Sequence, residues 1–216
     1  MNSLSKTGAV AAFSEAAIYL FGFGVLIFLT PTEGTDMSDA SERLAFILSQ
    51  KTLYQYWILT IYVLFGVLLA FLVTALHEPK ATFATIGTVL GYVWVVLVIA
   101  SGMLTSVGLE TVAKLFETHA EQAVSLWLSI ETIQNGLGGG VEVVGGLWVF
   151  MFSLQALQLK KSFKAAHVVG LLVGALGILT VLPPLGDLAA AFGLGQILWF
   201  VLIGLFLWKQ AGVAKQ

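Results

Sequence analysis

The chain has few charged residues: only 10% of its 216 residues are Asp, Glu, Lys or Arg, and none is cysteine. Soluble globular domains carry about 25% charged residues, so a water-facing surface of ordinary composition is excluded. The absence of cysteine excludes disulfides, thiolate metal sites and a cysteine nucleophile. The net charge of -2 also lacks the basic excess typical of nucleic-acid binding.

Long apolar runs make up most of the chain, which is 58% hydrophobic with a mean hydropathy of +0.96. About 20 apolar residues span the hydrocarbon core as a helix. The runs lack the alternating pattern of a membrane barrel, so they predict helices. We expect one membrane-embedded domain over residues 1–216, an all-α bundle that contacts the lipid bilayer. Its six predicted transmembrane helices are 8–30, 52–76, 82–108, 123–159, 167–185 and 188–208.

The charged residues separate according to which ends of the runs they occupy. Seven of the ten Lys and Arg residues lie in the N-terminal segment, the second-to-third linker, the fourth-to-fifth linker and the C-terminal tail. Eight of the twelve Asp and Glu residues lie in the other three linkers. Because Lys and Arg are retained on the cytoplasmic side, we predict a multi-pass protein of the bacterial inner membrane with both termini in the cytoplasm.

Two of the acidic, outer linkers predict short amphipathic helices. Asp39 with Glu42 three residues later fits a capping box, and Leu44 and Ile47 then share a face at helical spacing. Residues 109–116 show the same periodicity in the second outer linker. We expect these helices to lie at the interface or over the bundle, with a lid over an outward-facing cavity as the sharper alternative.

The fourth run is too long for one transmembrane helix. Residues 123–159 would extend about 55 Å at 1.5 Å per residue, whereas the hydrocarbon core is about 30 Å thick. Residues 136–140 include four glycines, and glycine costs about 1 kcal/mol per helical position. Either the outer end projects from the membrane or the helix breaks at these glycines.

Ionisable groups inside spans are expensive and are functional candidates. Glu142 is predicted in the outer leaflet of the fourth span and Glu131 near or above the outer interface. Asn135 lies one turn after Glu131, with Gln134 beside it. If the glycine segment stays helical, these residues form a polar stripe that runs inward from the outer surface. The alternative is a neutral Glu142, or one bonded to backbone freed by the glycine break, since burial favours the uncharged carboxyl.

Glu15 is the remaining intramembrane acid, and Tyr19 follows it by one helical turn. We predict Glu15 in the inner half of the first span, as a second ligand site nearer the cytoplasm. Its depth argues against direct pairing with Glu142. The alternative is a neutral carboxyl bonded to a neighbouring helix.

Aromatic residues divide into two groups by their predicted depth. Tyr54, Tyr56 and Trp57 lie at the outer end of the second span, as expected for interface anchors. Trp94 and Trp148 lie deeper, where core packing is the favoured role and an apolar ligand pocket is the alternative.

No catalytic residue, metal ligand or cofactor is predicted. A nucleophile motif, a phosphate-binding glycine loop following a strand and a His pair within facing spans are all missing from the sequence. We therefore expect a non-enzymatic protein that binds or transports a small amphipathic or cationic molecule, or a lipid, through an outward-facing acidic pocket. An intramembrane enzyme acting on lipid is the least favoured reading.

The alternative is a structural or regulatory subunit of a membrane complex, or a homodimer. Two small-residue patterns, Gly87 with Gly91 and Gly170 with Gly174, have the spacing at which helices approach closely. Such faces would contact a membrane-protein partner. The same spacing also serves packing within a single bundle.

The order of features resembles a bacterial six-span membrane family known as domain of unknown function four-three-eight-six. The resemblance covers most of the chain and rests on five stretches: Lys6-Thr7-Gly8, Tyr54 to Trp57, Gly136 to Gly146, Lys160 to Lys164, and Leu182-Pro183. It implies a six-helix membrane architecture. It implies no activity and transfers no site.

Overall fold

The computed structural model describes residues 2–29, 38–78 and 82–213, which contain helices and no strands. The helices are α1 (Asn2–Phe28), α2 (Ala40–Ser49), α3 (Lys51–Leu76), α4 (Thr82–Phe116), α5 (Ala120–Gln134), α6 (Val143–Gln158), α7 (Lys164–Leu179) and α8 (Leu188–Val213). Two segments have π-helical geometry, Leu59–Leu64 within α3 and Asn135–Gly139 directly after α5.

Five helical stretches in the described ranges are long and apolar enough to cross a bilayer: Ser3–Phe28, Lys51–Leu76, Thr85–Phe116, Ala120–Gln158 and Leu188–Gly212. The chain is therefore an all-helical protein with the character of a multi-pass membrane protein. Helix α7 is apolar but has only 16 residues, or about 24 Å at 1.5 Å per residue.

Several predicted boundaries are wrong. Helix α1 begins at Asn2 rather than at residue 8, and residue 30 lies outside the described ranges. Helix α4 continues to Phe116 rather than ending at 108, so the second outer linker has no separate amphipathic helix. Its apolar face, with Leu109 and Val112 buried, extends the third span. No Pro interrupts the helix there, and Gly108 lets Ile130 pack closely, since an added Cβ would meet the Ile130 side chain at 2.5 Å.

The predicted helix in the first outer linker is confirmed as α2. The Asp39 carboxylate caps it, accepting hydrogen bonds from the N–H groups of Ser41 at 2.7 Å and Glu42 at 3.0 Å. Leu44 and Ile47 are buried against α4 and α5. Helix α2 thus packs over the ends of two long helices, in a second apolar cluster separate from the main core.

The main core lies where α1, α3, α4, α6, α7 and α8 meet. Trp94 contacts Trp148, and Trp148 contacts Trp199 edge-on, with ring centroids 5.7 Å and 5.5 Å apart. Helices α6 and α7 approach most closely at Gly146 and Gly174, where an added Cβ would meet the backbone of the other helix at 2.6 Å. The predicted core role of the tryptophans is confirmed.

The small-residue patterns are used inside this bundle. A Cβ at Gly91 would lie 2.8 Å from Trp148, and one at Gly170 would lie 2.5 Å from Trp199. Because these faces already contact other helices of the same chain, neither is left open for a second protein at those glycines.

Ion pairs join neighbouring linkers at each end of the bundle. Lys161 contacts Glu78 at 2.8 Å, which joins the two basic linkers at one end of the bundle. At the other end Lys51 contacts Glu110 at 2.7 Å. Each of these ion pairs therefore joins two linkers that the charge pattern assigns to the same end of the bundle.

Candidate functional site

A partly open cavity of about 280 Å³ lies between α1, α3, α4, the start of α8 and the segment that joins α5 to α6. Six of its seventeen lining residues are aromatic: Tyr19, Phe23, Trp57, Tyr62, Phe65 and Trp94. Glu142 is the one acidic residue of the wall, which contains no Lys, Arg or His. The cavity is therefore an apolar, aromatic pocket with a single carboxylate.

The pocket exists because the fourth run breaks. Gly138 adopts φ +121° and ψ 21°, a conformation that residues with a Cβ rarely adopt. Helical geometry is lost at Gly140 and resumes at Val143. Of the two arrangements predicted for this run, the break at the glycines is the one observed, and it places Glu142 directly before α6.

Thr180 holds the break from the end of α7. Its hydroxyl oxygen accepts a hydrogen bond from the Glu142 N–H at 2.8 Å and donates to the Gly177 carbonyl at 2.7 Å. The Glu142 backbone is thus bonded to a neighbouring helix. Among the described residues its carboxylate forms no hydrogen bond and no ion pair, and it faces the pocket.

The two π segments meet behind the pocket wall. The Gln134 side-chain amide donates to the Tyr62 hydroxyl at 2.8 Å, and the Ser101 hydroxyl donates to the Gln134 carbonyl at 3.2 Å. A Cβ at Gly139 would lie 3.0 Å from the Tyr62 oxygen, so glycine permits this close approach. Short π segments inside α-helices occur frequently at functional sites. Here they join α3 to the segment after α5 at the pocket wall.

Glu15 and Tyr19 share one face of α1. The Tyr19 ring packs edge-on against Phe65 at 5.4 Å and contacts Phe200 at 6.0 Å. Glu15 is 0% exposed, and neither of its carboxylate oxygens has a hydrogen-bond partner in the described part of the chain.

The predicted stripe from Glu131 to Glu142 is absent because its condition, a continuous helix, is not met. Glu131 lies on the other side of the break and accepts a hydrogen bond from the Arg43 guanidinium at 2.7 Å. Asn135 is exposed, and its backbone carbonyl accepts a hydrogen bond from Val141 N–H at 3.2 Å. Neither side chain lines the pocket.

The structure therefore divides the six predicted ligand residues. Glu142 and Tyr19 line the pocket, Gln134 supports its wall through Tyr62, and Glu15 lies one helical turn from Tyr19. Neither carboxylate oxygen of Glu15 bonds Glu142 or any other described residue.

Five of the six aromatic pocket residues were not predicted as ligand residues: Phe23, Trp57, Tyr62, Phe65 and Trp94. Trp57 was interpreted as an interface anchor and Trp94 as a core residue, whereas the other three were not singled out as candidates. Tyr62 lies five residues after Trp57, a spacing that fits the π-helical segment Leu59–Leu64 and not a regular α-helix. Phe65 lies eight residues after Trp57, the spacing of an α-helix face, which is the pattern that would have grouped these two. The spacing is equally typical of a core face.

No group of three or more His, Asp or Glu residues in the described ranges could hold a metal ion. No protein-family model, curated protein or solved structure matches this chain. Membership of the six-span family therefore stays a prediction, and the geometry of the pocket carries the functional argument alone.

Proposed function

We propose that the chain is a six-span protein of the bacterial inner membrane with both termini in the cytoplasm, the architecture of the family it resembles. The short helix α7 adds one crossing to the five long helical stretches and is the fifth span in chain order; the turn at Pro183–Leu185 completes it. Lys161 and Glu78 link the two basic linkers at one end. The excess of Lys and Arg at that end supports its cytoplasmic orientation.

The pocket binds a small amphipathic cation and presents it for transport. The observation that carries this proposal is the Glu142 carboxylate, which has no protein partner in the described ranges and faces a wall of six aromatic rings. A cationic ligand supplies the missing charge. The alternative of a subunit that acts only by docking gains no support from the glycine faces, which pack internally.

Physical chemistry limits the ligand to a compact amine or quaternary ammonium with an apolar body. Aromatic faces attract cations by about 0.5–2 kcal/mol each, more when water is excluded, and Coulomb attraction to a carboxylate strengthens as the dielectric falls. A cavity of about 280 Å³ lies at the lower end of ligand pockets, which span roughly 300–1,000 Å³. Large drugs and whole lipids do not fit inside.

The proposal is tested with benzyltrimethylammonium, using neopentylbenzene as the uncharged molecule of the same shape. Titration calorimetry on the full chain in detergent measures both affinities. We expect Glu142→Gln to weaken cation binding at least about tenfold, the loss expected for a hydrogen bond or contact to a charged group. The exposed acid Glu121 provides the control Glu121→Gln, which removes the same charge far from the pocket and leaves the affinity unchanged.

The two ligands separate charge recognition from apolar binding. The wild-type chain should prefer the cation over neopentylbenzene, and Glu142→Gln should remove that preference. Equal affinities in the wild type, or an unchanged preference in the variant, would show that Glu142 does not recognise a cation. Uptake of labelled benzyltrimethylammonium into proteoliposomes, compared with empty liposomes, then tests transport.

A further inference from the structure

Three exposed lysines lie at the basic end of the bundle without an acidic partner. Lys160 lies in the linker between α6 and α7, Lys164 is the first residue of α7, and Lys209 lies near the end of α8. None of them forms an ion pair with a described residue. Glu78 is the one acid of the linkers that the structure describes at this end, and it is already paired with Lys161 at 2.8 Å. The protein therefore leaves three positive charges unbalanced here.

The ring of Phe163 brings the three lysines together. The Lys209 Nζ lies 5.9 Å from the centre of this ring, within the range of a cation–π interaction. Phe163 directly precedes Lys164 and follows Lys160 by three residues, a stretch of chain that spans at most about 11 Å. The four residues thus form one patch from two segments far apart in sequence, and we call them the Phe163 surface.

The backbone at Lys160 has a conformation that normally favours glycine. Helix α6 ends in a Schellman motif, in which the Lys161 N–H donates to the Ala156 carbonyl at 2.9 Å. The Lys160 N–H donates to the Leu157 carbonyl at 3.0 Å, and Lys160 itself has φ 53°. Glycine is usual at this left-handed position because a Cβ is disfavoured there. A lysine that persists at such a cost points to a role for its side chain.

Exposed apolar side chains flank the Phe163 surface. Trp208, 56% exposed, directly precedes Lys209, and Leu159, 48% exposed, directly precedes Lys160. At the end of a membrane-spanning helix, lysine side chains extend toward the head groups, and tryptophan lies where head groups meet acyl chains. The patch therefore offers cations for a phosphate and apolar contacts for an acyl chain in one place.

We propose that the Phe163 surface binds an anionic phospholipid. The lipid phosphate pairs with the three lysines, and an acyl chain packs along Leu159 and Trp208. Clusters of basic side chains beside membrane-spanning helices recognise acidic head groups in this way. A zwitterionic lipid carries a cation of its own and gains less from unbalanced lysines, and a soluble phosphate lacks the acyl chain.

This surface is separate from the aromatic pocket. The pocket is lined by Glu142 directly before α6 and by Ala189 and Ala190 at the start of α8, whereas the Phe163 surface lies at the ends of these two helices. Lipid binding here consequently does not depend on the cation binding proposed at Glu142, and either proposal can fail alone.

Native mass spectrometry of the full chain in detergent, titrated with dioleoyl phosphatidylglycerol or dioleoyl phosphatidylcholine, measures the affinity for the first bound lipid. We expect the wild type to bind phosphatidylglycerol at least about fivefold more tightly, and Lys209→Gln to lose about fivefold, the contribution of one lysine near an acidic surface. Lys209→Arg keeps the charge and should keep the affinity. The exposed Lys114 at the other end of the bundle provides the control Lys114→Gln, which should bind like the wild type.

Lys160→Gly separates lipid binding from folding. Glycine suits the left-handed position, so this variant should melt about 2–4 °C higher in lipid-free detergent. Its affinity for phosphatidylglycerol should nevertheless fall about fivefold, because a lysine is lost. A lysine with a purely structural role would lower the melting temperature when it is replaced.

Four outcomes would overturn the proposal. The wild type could bind both lipids equally, or Lys209→Gln could bind phosphatidylglycerol like Lys114→Gln. Lys160→Gly could keep the wild-type affinity. Finally, millimolar inorganic phosphate could displace phosphatidylglycerol, which would assign the surface to a soluble anion instead of a lipid.

Discussion

Glu131 and Glu142 stand eleven residues apart on what the sequence predicts as one run, yet their surroundings differ completely. Glu131 lies before the glycine break and pairs with Arg43, with both side chains about a quarter exposed. Glu142 lies after the break, and its carboxylate has no protein partner in the described ranges. One acid joins α2 to α5 through its ion pair with Arg43, and the other has no charge partner in the described part of the chain.

The comparison shows that residue type and position in an apolar run do not reveal which acid forms an ion pair and which has no partner. Both residues are glutamates in an apolar run. What separates them is the turn at Gly138, which directs the chain away from α2 and toward the aromatic wall. A carboxyl already paired with Arg43 has little affinity left for a cation, whereas a carboxyl without a partner gains a compensating charge only from outside the described protein.

The strongest test of this contrast compares the stability of two identical substitutions. Glu131→Gln should lower the free energy of unfolding by about 2 kcal/mol, between the values for exposed and buried ion pairs. Glu142→Gln should change it by less than about 0.5 kcal/mol, because no protein bond to the side chain is lost. Unfolding by SDS titration in mixed micelles measures both, and equal losses would contradict the distinction between the acids.

Thr180→Val should destabilise the break by about 1 to 2 kcal/mol. Valine keeps the shape of threonine but leaves the Glu142 N–H without its acceptor, and an unsatisfied buried donor is costly. The control is Thr111→Val, whose hydroxyl is exposed and bonds only within its own helix. The same titration serves, and a loss no larger than that of Thr111→Val would show that Thr180 does not hold the break.

Gly138→Ala should lower stability by about 1 kcal/mol, because a Cβ is disfavoured at φ +121° although nothing lies within 4 Å of it. Gly136→Ala is the control within the same segment. It also meets nothing within 4 Å but has no positive φ, so alanine should be neutral or slightly stabilising. Thermal unfolding in detergent should separate the two variants, and matching melting temperatures would argue against a conformational role for Gly138.

The smallest loss of stability is expected at the exposed ion pair between α3 and α4. Lys51 and Glu110 form an ion pair with side chains 32% and 45% exposed. Lys51→Met should therefore cost less than about 1 kcal/mol, and the cost should shrink as salt is raised. Repeating the SDS titration at low and high ionic strength checks this. A loss as large as that of Glu131→Gln, or one insensitive to salt, would mean that both pairs are equally structural.

Much of the helical content could be predicted, because a helix that faces lipid needs about 20 consecutive apolar residues and such a run is visible in the sequence. Residues 52–76 match α3 within one residue. The extension of α4 to Phe116 could not be predicted, because its amphipathic outer turn looks the same whether it continues a helix or begins one. At residues 136–140 the glycines left a break and a projecting helix equally open.

The candidate site was predictable only in part. Glu142 stood out because an acid inside an apolar run is unusual. Trp57, Tyr62 and Phe65 did not stand out, because aromatic residues at helical spacing are equally typical of packing. Their convergence with Trp94 around one carboxylate depends on contacts between α3, α4 and the segment before α6.

Composition and charge pattern by themselves determined that this chain is helical and apolar, and they grouped its linkers into two ends. These are local properties, since each run of residues either favours lipid or does not. Which acids have their charge balanced by an ion pair depends on the folded chain, because a partner such as Arg43 for Glu131 comes from a distant segment. Electrostatic pairing depends on distance in space, and the backbone turn at Gly138 sets that distance for Glu142.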